Sequence, residues 1–126
     1  MATTPTTLLQ HDRVQQECFN YLWNKYPETR HTFWHTSDEL KPHKGESDSN
    51  FKKRIFYRKA IGVLPGVTDL VWYWKSVLYL FDIKLEGDRI SEDQHVFINS
   101  IKEQGGEFYE INNVEQFIKI VDDVLL

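Results

Sequence analysis

Asp69, Asp82 and Lys84 are the residues of this chain whose types and spacing can do chemistry. Asp69 opens the run DLVWYW, while Asp82 and Lys84 close the run VLYLFDIK. Both runs are rich in aromatic and β-branched residues, and only Lys75 and Ser76 separate them, so the sequence predicts an antiparallel hairpin. Strand side chains alternate, which puts Asp82 and Lys84 on one face and Ile83 on the other. With the turn at Lys75 and Ser76, position 69 falls opposite about position 82, and the two carboxylates approach closely enough to share a cation. Two carboxylates form a hard oxygen site suited to Mg²⁺ or Mn²⁺, and a neighbouring lysine can contact a bound water or phosphate. Hydrolysis of a phosphodiester is the reaction such a set supports. An Asp and a Lys two apart on a strand are more often an exposed ion pair, but the flanks argue beyond that. A glycine- and proline-bearing turn, GVLPGVT, runs directly into Asp69, and Asp82 ends an apolar strand where a charge demands a partner.

The elements that must position this set are legible on either side of it. From about Leu8 to Lys25, Val14, Cys18, Tyr21 and Leu22 recur at helical spacing, and Pro27 marks the end. Thr32 to Thr36 has the content of a short strand, and the polar stretch from Ser37 to Asn50 reads as a loop. A second helix is expected from Asn50 to Ile61, ended by Gly62. After the hairpin, Gly87 and Asp88 make a turn, and Ser91 caps a helix that runs to Gln104 before Gly105 and Gly106 stop it. Glu107 to Ile111 follows as a strand. Val114 to Leu126 closes the chain as a helix with Phe117, Ile118, Val121 and Leu125 on its apolar side. The predicted order is α, β, α, β, β, α, β, α.

With 126 residues, one domain over 8–126 is expected, preceded by a flexible polar start at 1–7. A hydrophobic share of 40% and an aromatic share of 14% supply a core and argue against disorder elsewhere. Cys18 is the single cysteine, which excludes an internal disulfide or a cysteine metal cluster and favours a reducing compartment. No apolar stretch reaches the roughly 18 residues of a membrane span, and the start lacks the pattern of a secretory signal, so a cytoplasmic protein is expected. The net charge of −4 argues against a uniformly basic nucleic-acid coat, but seven bases against two acids between Lys41 and Lys59 make one basic segment in an acidic chain. Lys52, Lys53, Arg54, Arg58 and Lys59 could contact a phosphate backbone, or they could form a solvated helix face.

Taken together, GVLPGVTDLVWYW, LYLFDIKLEGDRISEDQ, GGEFYEI and the front segment QQECFNYLWNKYPETRHTFWH resemble the VRR-NUC branch of the PD-(D/E)XK nuclease superfamily, in its stand-alone phage and bacterial form. The resemblance runs from about Leu9 to the end and rests on Gly66, Asp69, Asp82, Lys84, Ser91 and Gln94 as a set. It implies an α/β, restriction-endonuclease-like core, a central mixed β-sheet flanked by helices. It implies that Asp69, Asp82 and the Ile83 carbonyl hold Mg²⁺ or Mn²⁺, that Lys84 assists the attacking water, and that Gln94 supports the site from the following helix. The expected activity is that of a structure-specific DNA endonuclease, similar to dimeric Holliday-junction resolvases, in a bacterial or phage-infected cell. A flap or nicking repair nuclease and a catalytically weak nucleic-acid-binding module are the alternatives. Two positions depart from the family pattern. The acid of the second central strand, commonly Glu, is Asp82, and with Gln15 as the helix-one glutamine the usual glutamate position holds His11, with Asp12 and Glu17 as possible substitutes.

Other residues have plainer readings. His31 and His35 flank an aromatic strand without a carboxylate or cysteine at ligand spacing. Trp72 and Trp74 suit a core or an interface better than base stacking, and Cys18 suits packing.

Overall fold

The structure, a computed structural model, describes residues 10–36 and 42–126. Helix α1 (Gln10–Lys25) is followed by a short 3₁₀ turn (Pro27–Thr29) and strand β1 (Phe33–His35). Helix α2 (Asp48–Ala60) leads to β2 (Leu70–Trp74) and β3 (Val77–Ile83). Helix α3 (Glu92–Glu103), strand β4 (Glu107–Ile111) and helix α4 (Val114–Leu125) complete the chain. The predicted order of elements therefore stands. Expectations for the flexible start at 1–7, for the first residues of helix one at Leu8 and Leu9, and for the loop at 37–41 lie outside the described residues.

One boundary needs correction, and one turn is new. Helix α2 begins at Asp48, because the Ser47 side chain accepts a hydrogen bond from the Asn50 N–H at 3.1 Å and caps the first turn inside the supposed loop. The 3₁₀ turn was not expected. Thr29 holds it from within, donating its hydroxyl to the Tyr26 carbonyl at 2.8 Å.

The sheet order is β1-β2-β3-β4, antiparallel except for the parallel β3–β4 pair, which α3 connects. Helices pack on both sheet faces. One face, with Leu70, Trp72, Tyr79, Phe81 and Ile83, packs with Val14, Cys18 and Leu22 of α1 and Phe117 and Val121 of α4 in the main core. The α4 residues in this core are Val114, Phe117, Ile120, Val121, Val124 and Leu125; Ile118 is only half-buried and lies outside it. The opposite face, with Val71 and Leu80, packs against Ile98, Phe97 and Ile101 of α3. Trp72 is fully buried and Trp74 stacks on it at 5.8 Å, the core role expected of the pair. Among the described residues no helix is long and apolar enough to cross a membrane.

Candidate active site

The hairpin register pairs Leu70 with Phe81 and Trp74 with Val77, so one further step brings Asp69 beside Asp82, as the spacing predicted. The two are joined directly: the Asp69 N–H donates to Asp82 Oδ1 at 3.2 Å. Asp82 is the penultimate residue of a strand whose last five residues are buried and is itself 1% exposed. A carboxylate so placed must be satisfied from within. Lys84 Nζ lies 2.9 Å from Asp82 Oδ2, and Gln94 Nε2 donates to the same oxygen at 3.1 Å. Lys84 Nζ also donates to Gln94 Oε1 at 3.1 Å, closing a three-residue ring of hydrogen bonds.

Gln94 has a second task that fixes its position. Ser91 caps α3, accepting from the Gln94 N–H at 3.1 Å, while Gln94 Oε1 accepts from the Ser91 N–H at 3.1 Å. This capping box starts the helix and aims the glutamine at the carboxylates with the same side chain. The Pro65–Gly66 turn lies directly against it: a Cβ on Gly66 would stand 2.6 Å from the Gln94 backbone nitrogen.

Asp69 is held from other directions. Its Oδ2 accepts the Ile83 N–H at 2.8 Å and lies 3.1 Å from His11 Nε2. His11 stands on the first turn of α1, and Gln15, one turn later, is half-buried; neither Asp12 nor Glu17, both exposed, takes the His11 place. Ile83 thus contributes its N–H to the site. Sequence reasoning missed Asn112, whose side-chain Nδ2 donates to the Lys84 carbonyl at 2.6 Å, and Thr36, whose hydroxyl donates to the Thr68 carbonyl just before Asp69. Asn113 caps α4, its side chain accepting from the Gln116 N–H at 3.0 Å, and only the fold shows that its neighbour Asn112 anchors the end of β3.

Electrostatics separate the two acids. Burial, reinforced by the neighbouring Asp69 charge, pushes the Asp82 carboxyl up to about 6 against the pull of Lys84. Burial also works to raise Asp69, but hydrogen bonds from His11 and the Ile83 N–H outweigh it and hold Asp69 below the usual carboxylate range. The hydrogen bond to Asp69 raises His11 above its ordinary value, against partial burial. Two acids in contact, one inclined to keep a proton, form a pair in which a cation can replace that proton. Among the described residues no three His, Cys, Asp or Glu side chains form a metal cage. A two-carboxylate site of this kind suits a cation such as Mg²⁺, which leaves several positions to water and phosphate oxygens. The donor set fits.

The basic segment lies on α2. Lys52 and Lys59 line a cavity of about 480 Å³ together with Pro65 and Asp93, next in sequence to Gly66 and Gln94. Lys53 is exposed, and Arg58 is half-buried. Arg54 is engaged by Glu46, with Nε 2.9 Å from Oε2 and Nη2 3.0 Å from Oε1, a bidentate clamp that holds Glu46 down at about 2. The helix therefore presents lysines to solvent while Arg54 ties down the segment before it. His31 and His35 lie away from the acids' side chains; His35 Nδ1 sits 2.8 Å from the Asp69 carbonyl and pins the start of β2.

A mixed four-stranded sheet with helices on both faces is the architecture of a PD-(D/E)XK-like fold. Within that class the chain is similar in structure to a VRR_NUC domain protein, with a TM-score of 0.67 over 90% of this chain and 86% of that chain at 16% sequence identity. No protein-family model matches the chain, and no curated protein matches it in sequence.

Proposed function

We propose that the protein is a divalent-metal-dependent nuclease that hydrolyses phosphodiester bonds in DNA. The observation that carries this is the closed set Asp69, Asp82, Lys84 and Gln94 at the end of the hairpin, in a chain with the PD-(D/E)XK-like fold. An exposed Asp–Lys pair would need neither the burial of Asp82 nor a glutamine bridging both partners. Asp69 and Asp82, with the Ile83 carbonyl, would hold Mg²⁺ or Mn²⁺. A cation so held lowers the pKa of a bound water and offsets charge developing on phosphate.

The chain's own residues supply the rest. Lys84, 14% exposed and fixed between Asp82 and Gln94, presents its ammonium where phosphate charge builds, and fixed charges of this kind need no reorganisation during reaction. Gln94 orients both Asp82 and Lys84. His11 keeps Asp69 ionised and donates to it from the place where the resemblance expects a glutamate. Lys52, Lys53 and Lys59 of α2 would contact the DNA backbone, which positions a substrate without reading its sequence.

The finer reading is an endonuclease of branched DNA resembling a Holliday-junction resolvase and acting as a homodimer, because two copies of a small domain match a two-fold substrate. The test is cleavage of labelled four-way junction, flap, duplex and single strand in Mg²⁺ and Mn²⁺, with Asp69→Asn and Asp82→Asn as controls. Cleavage that requires metal and is lost in both variants is expected. Cleavage that persists after exhaustive chelation, or in either variant at the wild-type rate, overturns the proposal.

A further inference from the structure

The sheet face that carries the acidic pair is only partly roofed. Helix α3 covers Leu78 and Leu80 of β3, but towards β1 the face opens into a trough of about 580 Å³. Its floor includes Val71 and Leu80, its far wall is Phe97 and Ile101 of α3, and its near edge carries Trp34 and Tyr73. These two aromatic side chains are 45% and 50% exposed in a fold that buries Trp72 completely. An exposed tryptophan beside an exposed tyrosine on a sheet face is a surface awaiting a flat apolar partner.

The trough adjoins the acidic pair through one residue that touches both. Thr36 lines it and also donates its N–H to the Asp69 carbonyl at 3.0 Å. Trp34 is paired across the sheet with Val71, and Val71 with Leu80, so this row lies one same-face step, roughly 7 Å, from Asp69 and Asp82. Helix α3 borders all three features: Asp93 in its first turn meets the lysine-lined cavity, Gln94 holds Asp82, and Phe97 and Ile101 wall the trough. Proteins that hold single strands combine a basic track for the backbone with aromatic faces for the bases.

We infer that the trough at Trp34 and Tyr73 receives one unpaired nucleobase of the strand being cut, next to the phosphate held at Asp69 and Asp82. This rests on the nuclease reading alone and, in place of the fully paired four-way junction of the finer reading, selects strands with an unpaired base at the cut. The size suits one base with its sugar, since small-molecule sites run from about 300 to 1,000 Å³. A second copy of the chain fits less well. Stable interfaces bury about 1,600 Å² in total, whereas this feature is a concave slot with two exposed aromatics. Because every base has a flat π-face, the slot selects an unpaired base without selecting its identity.

The test is single-turnover cleavage at varied protein concentration, which separates half-saturation from the plateau rate. The strands carry one abasic residue at successive positions around the cleaved phosphate. For the native protein, one abasic position adjoining that phosphate should raise the half-saturating concentration about tenfold. Trp34→Leu should raise it similarly for the intact strand and make that abasic position indifferent, while Trp34→Phe keeps a ring and restores sensitivity. Cleavage indifferent to every abasic position, or unchanged in Trp34→Leu, overturns the inference and leaves the nuclease reading standing. So does a Trp34→Leu variant that converts a dimer to a monomer in sedimentation, since the trough would then be an interface between copies. Failure to cut or bind any nucleic acid in Mn²⁺ removes the nuclease reading, and this inference with it.

Discussion

His11 on the first helix and Asp69 at the start of the hairpin, 58 positions apart in sequence, meet at 3.1 Å between Nε2 and Oδ2. On the proposed metal-dependent reading, the contact puts an imidazole where a third carboxylate would add an oxygen ligand to Asp69 and Asp82. His11→Glu should therefore lower the Mn²⁺ concentration that half-maximally raises Tm, on the order of tenfold, because oxygen ligand charge tunes affinity for such ions. Without metal the same variant should be less stable than the native protein, three acids then lying together. A midpoint that stays put would mean the glutamate does not reach the cation.

The Asp82 carboxyl makes stability depend on pH in an unusual direction. In the unfolded chain it releases its proton near the ordinary value of about 3.9, and in the folded chain at about 6. Between these values the native state holds more protons, so stability falls as pH rises, by on the order of 2 kcal/mol in metal-free protein. The raised His11 adds to this, its contribution being present below about pH 6.5 and lost as pH rises through its folded value. The lowered Asp69 acts oppositely and only in more acid solution, losing its contribution as pH falls through its folded value. Urea unfolding in chelator from pH 4.5 to 7.5 should show the decline, and Asp82→Asn should flatten it. Saturating Mn²⁺ should do so as well, by taking the place of the proton. A slope unchanged in Asp82→Asn would show that the carboxyl titrates normally.

Much of this site was legible because it is built from short-range patterns. Alternation along VLYLFDIK put Asp82 and Lys84 on one face, hairpin counting set Asp69 against Asp82, and Ser91 marked the start of the next helix, although its reciprocal bond with Gln94 emerged only in the fold. What escaped needed knowledge of which distant elements meet. A period of two shows which residues share a sheet face, but not how far a helix will roof it, so the exposure of Trp34 and Tyr73 beside buried Trp72 was invisible. Helical spacing likewise could not show that α1 from one layer and α3 from the other converge on Asp69 and Asp82. The clamp between Arg54 and Glu46 escaped because Glu46 lay in a stretch read as loop.

Lys84→Met should keep the apolar stem and lose the charge beside Asp82. Single-turnover cleavage at saturating metal should fall on the order of a hundredfold while DNA affinity changes little, since a charge aimed at the phosphate acts most strongly in the transition state. A variant that cuts at the native rate would reduce Lys84 to a structural partner of Asp82.

The hairpin turn is held in an unfavourable conformation by its own residues. Lys75 and Ser76 have φ of 47° and 68°, a left-handed pair that Asn-Gly adopts far more readily. Lys75→Asn with Ser76→Gly should stabilise the fold by about 1 kcal/mol, raising Tm by roughly 3–5 °C. Cleavage should be unaffected, because the turn is at the far end of β2 and β3 from Asp69 and Asp82. A lower Tm would mean that the lysine and serine side chains contribute more than their backbone conformation costs.

Gly66 and Gly62 share a backbone conformation and differ in their surroundings, which makes them a controlled pair. Both have positive φ, 81° and 104°, where any side chain is strained. Around Gly62 a Cβ would meet nothing within 4 Å, so Gly62→Ala should cost only that strain, about 1–2 kcal/mol. At Gly66 a Cβ would lie 2.4 and 2.5 Å from the Asp93 carbonyl carbon and oxygen and 2.6 Å from the Gln94 nitrogen. These are backbone atoms in the first turn of α3 and cannot rotate aside. Either the Pro65–Gly66 turn retreats, moving the approach to Asp69, or α3 shifts and draws Gln94 off Asp82 and Lys84. Gly66→Ala should therefore cost about 3 kcal/mol or more in urea unfolding. It should also weaken the Mn²⁺ effect on Tm, whereas Gly62→Ala leaves that effect intact. Equal losses in the two variants would show that backbone strain alone explains the glycine, and that the turn does not brace the helix that carries Gln94.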